Sequence, residues 1–403
     1  MISSGHSSPV ALNPRLDQLG DYPFTRLSAL LKDSPGAPPT NMSVGEPQHP
    51  APPMVAEILA REAASWGRYP PMAGTQEFRA AAASWLARRY KLPQGFVDPA
   101  TNLLPVAGTR EGLFLIAQAA CGERDDARPP VVLLPNPFYQ VYAGAAVLAG
   151  AETVFVPGKS EEGLLPDFVQ VAGETLERTA LAFLCTPANP QGSVANIAQL
   201  KTALALARRH GFTLAVDECY SEIYDRDPPP GALAAAAEMG GGLDNLLVFH
   251  SLSKRSSVPG LRVGFVAGDA RVIAAFGRLR SFGGAAVPLP IQSVAAALWA
   301  DETHVEANRA LYRAKFELAA KLIGGRLGFY KPGGGFYLWL DVEDGERAAL
   351  KLWRDGGIRT LPGAYLARDQ ADGGNPGARF LRVALVHDLA TTERALARLA
   401  ELL

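Results

Sequence analysis

Between Leu103 and Ala267 the chain alternates short apolar runs with stretches of helical spacing, and the apolar runs stop at polar clusters. That rhythm constrains the fold more than any other feature. The apolar runs are residues 103–106, 131–134, 153–156, 180–185, 212–216, 245–249 and 263–267. Runs of this length bounded by turn residues read as buried strands. Helical patterns follow at residues 109–120, 141–148 and 198–209, the last closed by Gly211. Strands alternating with helices predict an α/β fold, a mostly parallel sheet with helices on both faces. In such a sheet a ligand sits beyond the carboxyl ends of the strands.

The polar clusters Gly108-Thr109, Tyr139, Asn189, Asp217 to Tyr220 and Ser251 to Lys254 all fall at such ends. Lys254 lies in Ser251-Leu-Ser-Lys254-Arg-Ser-Ser-Val-Pro-Gly-Leu-Arg262-Val-Gly264, a polar bend between two expected strands. A lysine beside buried strands is costly unless paired or used. Its chemical use is a Schiff base, because a partly desolvated amine has a lowered pKa and becomes nucleophilic. A strand followed by Gly108-Thr109 and a helix presents backbone N–H groups and a hydroxyl to a phosphate. Ser251, Ser253 and Arg262 add hydroxyls and a guanidinium. Asp217 closes a buried strand, where a carboxylate needs a cationic partner such as a protonated pyridine nitrogen. Asn189 and Tyr220 suit a phenolic oxygen, and Tyr139 offers a ring face. Taken singly, these are a turn lysine, a capped helix, a strand-end acid and a core tyrosine. Taken together at one edge of one sheet, they point to pyridoxal phosphate carried by Lys254.

The remaining chain frames this region. Residues 1–12 read as loose, 33–39 as a Pro/Gly-rich loop and 54–66 as helical. Thr75 reads as the N-cap of a helix carrying Phe78, Ala82 and Leu86 on one face. After about residue 290 the pattern changes to a long helix over 291–323, short strands at 327–330, 335–340 and 380–386, and a last helix over 391–403. The expected division is a large cofactor-binding domain at 48–290 and a smaller α+β domain at 291–403, which the N-terminal segment 1–47 joins.

Composition removes several classes of function. Charge is balanced, 39 basic against 40 acidic residues, which disfavours a nucleic-acid binder. Three separated cysteines predict no disulfide framework and a reducing compartment, and the six histidines form no metal-ligand pair. The N-terminus lacks the pattern of a signal peptide, and no apolar run approaches a membrane span. A soluble, cytoplasmic protein is expected.

The chain resembles the class I/II aminotransferases of fold type I, enzymes that depend on pyridoxal phosphate. The resemblance runs from about Asn13 to the end. It rests on Tyr69-x-x-x-x-Gly74, Ala107-Gly108-Thr109, Asn189-Pro190-x-Gly192, Asp217-Glu-Cys-Tyr220, Ser251-Leu-Ser-Lys254, Arg262-Val-Gly264 and Phe380-Leu-Arg382. It implies that Lys254 carries the cofactor and shuttles a proton, and that Asp217 pairs with the pyridine nitrogen. It implies that Asn189 and Tyr220 bind the ring oxygen and that Tyr139 stacks on the ring. Gly108, Thr109, Ser251, Ser253 and Arg262 would hold the phosphate, with Arg110 beside them. Tyr69 would reach the cofactor of a neighbouring subunit in a homodimer. Arg382 would clamp the substrate α-carboxylate near Gly45.

Within that family the flavour is that of the bacterial N-succinyldiaminopimelate aminotransferases of lysine biosynthesis. Asn13-Pro-Arg-Leu, Asp21-Tyr-Pro-Phe24, Ser43-Val-Gly-Glu-Pro-Gln-His49 and Ser253-Lys-Arg-Ser-Ser-Val-Pro-Gly260 carry it. The substrates expected are amino acids and 2-oxo acids, with no metal. Arg110 and Arg255 either neutralise a second substrate carboxylate or stand in solvent or in ion pairs. A lyase or cyclopropane-forming synthase on the same scaffold would share the cofactor residues and differ in needing no oxo acid. A transcription-regulator domain would need a winged-helix segment that the stretch before Asn13 is too short to supply.

Overall fold

The structure is a computed structural model that describes residues 10–158 and 163–403. The start of the expected loose segment, residues 1–9, lies outside the described residues. The strands are β1 (Thr40–Asn41), β2 (Leu103–Val106), β3 (Val131–Asn136), β4 (Glu152–Pro157), β5 (Thr179–Cys185) and β6 (Thr213–Asp217). They continue with β7 (Leu246–Ser251), β8 (Gly264–Gly268), β9 (Tyr337–Asp341), β10 (Ile358–Arg359), β11 (Leu361–Pro362) and β12 (Phe380–Ala384).

Seven of them form one sheet in the order β2-β8-β7-β6-β5-β3-β4. From β7 to β4 every neighbouring pair is parallel. β8 runs against both β7 and β2. The reversal follows from the connection. The return from β7 holds only a four-residue helical turn, Leu252–Arg255, and a short 3-10 turn, Pro259–Leu261. A parallel crossover needs a full helix.

Every residue of β3, β6, β7 and β8 is buried, as expected where both faces of a sheet are covered. On one face Leu133, Leu214, Val248 and Phe265 meet Trp85, Leu204, Leu233 and Trp299 from helices. On the other, Val132, Phe183, Ala215 and Phe249 meet Leu113, Ile116, Tyr142 and Phe276. Alternate residues of each strand thus serve opposite cores, the period-2 consequence of the pleat. The caps are those read from sequence. Thr75 Oγ1 accepts the Phe78 N–H at 3.2 Å, and Gly211 closes the helix Ile197–His210 in left-handed geometry.

A second, antiparallel sheet has the order β11-β12-β9, and β1 pairs with β10 in parallel. Met42, Phe316, Leu338, Leu352, Leu381 and Leu396 form the core beneath it. Two expectations are corrected here. Residues 327–330 are not a strand: Leu327 and Gly328 both take positive φ, 52° and 59°, so the chain turns while Leu327 and Phe329 still pack against the core. The sheet takes β11 instead. The helix expected over 291–323 is two helices, Leu289–Ala300 and Thr303–Ile323. Asp301 breaks it, because its carboxylate accepts the His304 N–H at 3.1 Å and caps a new start. Among the described residues no helix is long and apolar enough to cross a membrane.

Candidate active site

The carboxyl ends of the parallel strands open on a cavity of about 700 Å³. Thr109, Arg110, Ser251, Ser253 and Arg262 line it, as do Tyr139, Asp217 and Lys254. Asn189, Tyr220, Gly45 and Arg382, also read from sequence, line it as well. Two parts of the molecule build it: the large sheet supplies most of the wall, and β12 with the segment around Gly45 supplies the rest.

At one end Gly108 caps the helix Thr109–Ala120 with φ +83°, and a Cβ there would run into the Arg262 guanidinium. Only glycine permits that approach at that dihedral. The Ser251 hydroxyl accepts the Ser253 N–H at 3.1 Å, and Arg262 Nη1 donates to the Pro259 carbonyl at 3.0 Å. A helix N-terminus, hydroxyls and a guanidinium therefore converge without a carboxylate among them, a donor set for a dianion.

Asp217 stands across the cavity, 4% exposed. Its Oδ2 accepts the Tyr142 hydroxyl at 2.6 Å and its Oδ1 the Cys219 N–H at 3.2 Å. Among the described residues no cationic side chain lies within 4.0 Å of it. A buried carboxylate with only neutral donors is costly, and a cationic ring nitrogen would offset that cost. Burial, aided by the charge on Asp217, pushes the Tyr142 hydroxyl well above its ordinary pKa.

Lys254 reaches the cavity from the β7–β8 return. Its Nζ donates to the Gly45 carbonyl and lies 5.3 Å from the centre of the Phe336 ring. Burial pulls its pKa down to about 8. A polar relay holds its backbone. Asn308 Nδ2 donates to the Lys254 and Arg255 carbonyls at 3.1 and 3.2 Å. Asn308 Oδ1 lies 2.7 Å from His49 Nδ1, and His49 Nε2 lies 2.6 Å from the buried Lys315 ammonium.

Arg382 donates from Nη1 to Asn189 Oδ1 at 2.8 Å and from Nη2 to the Ser43 carbonyl at 2.7 Å. Its Nε is buried without a partner among the described residues. The Tyr220 and Tyr337 hydroxyls lie 3.2 Å apart, and burial pushes Tyr220 well above the ordinary tyrosine pKa. Tyr139 accepts a hydrogen bond from Arg110 Nε at 2.8 Å, and burial raises its pKa to about 12.

Two sequence candidates lie elsewhere. Tyr69 does not line the cavity of its own chain and is fully exposed. Arg255, next to Lys254, faces away from it. It is 2% exposed and bonds the Leu298 carbonyl at 2.7 Å and Glu302 Oε1 at 2.7 Å. One helical residue rotates a side chain by about 100°, which turns Arg255 into the core beside Trp85 and Trp299. It is therefore not free to meet a substrate.

Tyr142, Cys219, Tyr337 and Glu46 also face the site and were not among the sequence candidates. Tyr142 had a signal, since it stands three positions after Tyr139 on the same helical face. Tyr337 and Glu46 had none, because distant parts of the chain bring them in.

A family model described as aminotransferase class I and II matches residues 37–399. The chain is 33% identical over 389 residues to the 4-dedimethylamino-4-oxo-anhydrotetracycline transaminase OxyQ of Streptomyces rimosus, across 96% of this chain and 99% of that one. It is 30% identical over 397 residues to the LL-diaminopimelate aminotransferase of Desulforudis audaxviator, across 96% of each. A solved aminotransferase structure from Neisseria meningitidis superposes with a TM-score of 0.91 at 41% identity, over 97% of this chain and 100% of that chain.

Proposed function

The chain belongs to the class I and II aminotransferases, and from that premise we propose that it transfers the amino group of N-succinyl-L,L-2,6-diaminopimelate to 2-oxoglutarate with pyridoxal 5'-phosphate as cofactor, in lysine biosynthesis in the cytoplasm. Members of this family use that cofactor. The observation that carries the reading is a set of unmatched groups facing one cavity. Among the described residues Asp217 is buried with no cation within 4.0 Å, and Arg382 keeps a buried Nε with no partner.

These residues fit the cofactor. Gly108, Thr109, Ser251, Ser253 and Arg262 would hold its phosphate, Asp217 its ring nitrogen, Asn189 and Tyr220 its ring oxygen, Tyr139 its face and Lys254 its reactive carbon. When bound, it supplies the electron sink that makes the α-proton of an amino acid removable. Lys254 Nζ, with a pKa near 8, is partly free base near neutral pH and takes that proton. Arg382 receives the α-carboxylate on its fork, which fixes the Cα–H bond relative to Nζ. The tyrosine hydroxyls stay protonated, so they donate hydrogen bonds and do not compete for the proton.

The sequence flavour of residues 13–16, 21–24, 43–49 and 253–260 supports the succinylated donor. A second reading, a broader amino-acid aminotransferase, is favoured by the 33% identity to a transaminase that OxyQ's name assigns to a tetracycline intermediate. Tyr69, fully exposed in its own chain, is free to serve the cofactor of a partner, which supports a homodimer. A monomer by light scattering at micromolar concentration would count against that.

A half-reaction screen tests the donor. Conversion of the bound cofactor's absorbance is expected to be fast with N-succinyl-L,L-2,6-diaminopimelate and glutamate and slow with aspartate. Equal conversion by many amino acids would select the second reading. Release of ammonia or thiol without an oxo acid would mean a lyase. Lys254→Ala is expected to abolish turnover, and retained activity would refute the assignment.

A further inference from the structure

Lys315 is a buried ammonium that the chemistry described above does not use. It is 1% exposed, and among the described residues no carboxylate lies within 4.0 Å of it. A buried cation without a counter-ion is costly and has to be held by acceptors. Its Nζ donates to the Leu385 carbonyl at 3.1 Å and lies 2.6 Å from His49 Nε2. Asn308 stands seven positions earlier (315 minus 308), about two turns away on the same face of the helix Thr303–Ile323. His49, Asn308 and Lys315 all stand outside the lining of the site cavity.

The chemistry of these contacts gives the relay a direction. An ammonium donates and cannot accept, so His49 Nε2 accepts from Lys315. Burial, with the Lys315 charge, holds the imidazole below its ordinary pKa, so at neutral pH it is uncharged and its one proton is on Nδ1. Nδ1–H then donates to Asn308 Oδ1 at 2.7 Å. That turns the Asn308 amide so that Nδ2 meets the Lys254 and Arg255 carbonyls. The Ser257 hydroxyl, on the His49 carbonyl at 2.9 Å, ties the same return to the same histidine. Without a donor at Nε2, His49 is free to take the Nε2–H form, which sets the lone pairs of Nδ1 and Oδ1 against each other. Flipping the amide to relieve that clash would aim Oδ1 at the two carbonyls.

We propose that Lys315 is a positioning residue for Lys254: its proton selects the Nδ1–H form of His49, and that form locks the Asn308 amide onto the return that carries Lys254. This rests on the transaminase reading above, in which Lys254 Nζ takes the α-proton. The relay acts on the backbone of Lys254, so its loss shows in the rate of proton removal and not in the hold on substrate.

The test begins with cofactor-free protein carrying isotope-labelled histidine, because ring-nitrogen NMR shifts separate the two tautomers and the imidazolium. The His49 signal, one of six, is identified by its loss in His49→Gln. At neutral pH the wild type is expected to show the Nδ1–H form. Lys315→Met, which removes an unmatched buried charge and is therefore expected to fold, is expected to show the Nε2–H form or a mixture. A wild type in the Nε2–H form or as imidazolium, or a variant that keeps the Nδ1–H form alone, overturns the proposal. In cofactor-loaded protein, Lys315→Met and Asn308→Ala are each expected to slow single-turnover removal of the α-proton by about 10-fold, with the substrate Kd changed by less than about 2-fold. The double variant is expected to be no slower than Asn308→Ala alone. Losses that multiply, or a change in Kd alone, would mean that Lys315 does not act through Asn308 and would overturn its role. Failure of the wild type to convert any amino acid would sink the transaminase reading instead, and the tautomer would still decide whether Lys315 orders the relay.

Discussion

The chain places two acids side by side at the end of β6, and they face opposite sides of the sheet. Glu218 is 1% exposed and turns away from the cavity. Its Oε1 accepts the Ala232 N–H at 2.7 Å and its Oε2 the Tyr90 hydroxyl at 2.9 Å. His250 Nε2 lies 3.0 Å from that same oxygen, outside hydrogen-bond alignment. Asp217 is also buried and has the same kind of tyrosine donor, but neither a histidine nor a lysine or arginine within 4.0 Å among the described residues. One acid is completed by the fold and the other is left for a ligand. Burial alone does not mark a functional carboxylate. The missing partner does.

The sharpest way to break this comparison is to neutralise each acid. Asp217→Asn is expected to lower kcat by about 10³-fold or more, and to leave the cofactor-free protein as stable as before, since an unmatched buried charge is removed. A small effect on kcat would mean that Asp217 is structural after all. Glu218→Gln is expected to do the reverse, costing about 2–4 kcal/mol by denaturant melts with kcat of the folded protein within about 3-fold.

Lys254 sharpens the contrast through pH. Its folded pKa is lowered to about 8, against about 10.4 in an unfolded chain. Between those values the unfolded state binds more protons, so stability rises with pH in that window. In cofactor-free protein Lys254→Met is expected to remove that rise from the stability profile between pH 8 and 10, against a background in which the buried thiols Cys121, Cys185 and Cys219, raised by burial, pull the other way in both proteins. Lys315, also lowered to about 8 by burial, acts in the same direction as Lys254. Identical profiles in the wild type and Lys254→Met would contradict the lowered value. The smallest effects belong to the tyrosines. Tyr142→Phe is expected to cost less than about 10-fold in kcat, and Tyr90→Phe about 1–3 kcal/mol of stability with kcat unchanged.

Much of this was legible beforehand where physics is local. Strands buried on both faces leave continuous apolar runs, and the residues that end them mark the site, so Lys254, Asp217 and Gly108 stood out. The small sheet was less legible. β11 is two residues long, too short to show alternation, while Leu327 and Phe329 are apolar because they pack, not because they pair. Arg255 misled because adjacency to Lys254 says nothing about direction on a helical turn. Glu46 and Tyr337 reach the site through tertiary contact alone.

The return that carries Lys254 has a further consequence. Its ends are pinned, since Ser251 pairs with Gly264 across β7 and β8. Its middle is clamped by Asn308 at two carbonyls and by the Ser257 hydroxyl on the His49 carbonyl at 2.9 Å. One inserted residue adds up to about 3.8 Å of chain between fixed points. That would either displace Nζ from Gly45 or force the strands out of register. Insertions and deletions are therefore excluded from this segment while substitutions are not, and new substrate ranges on this scaffold must arise by exchanging side chains around a return of constant length.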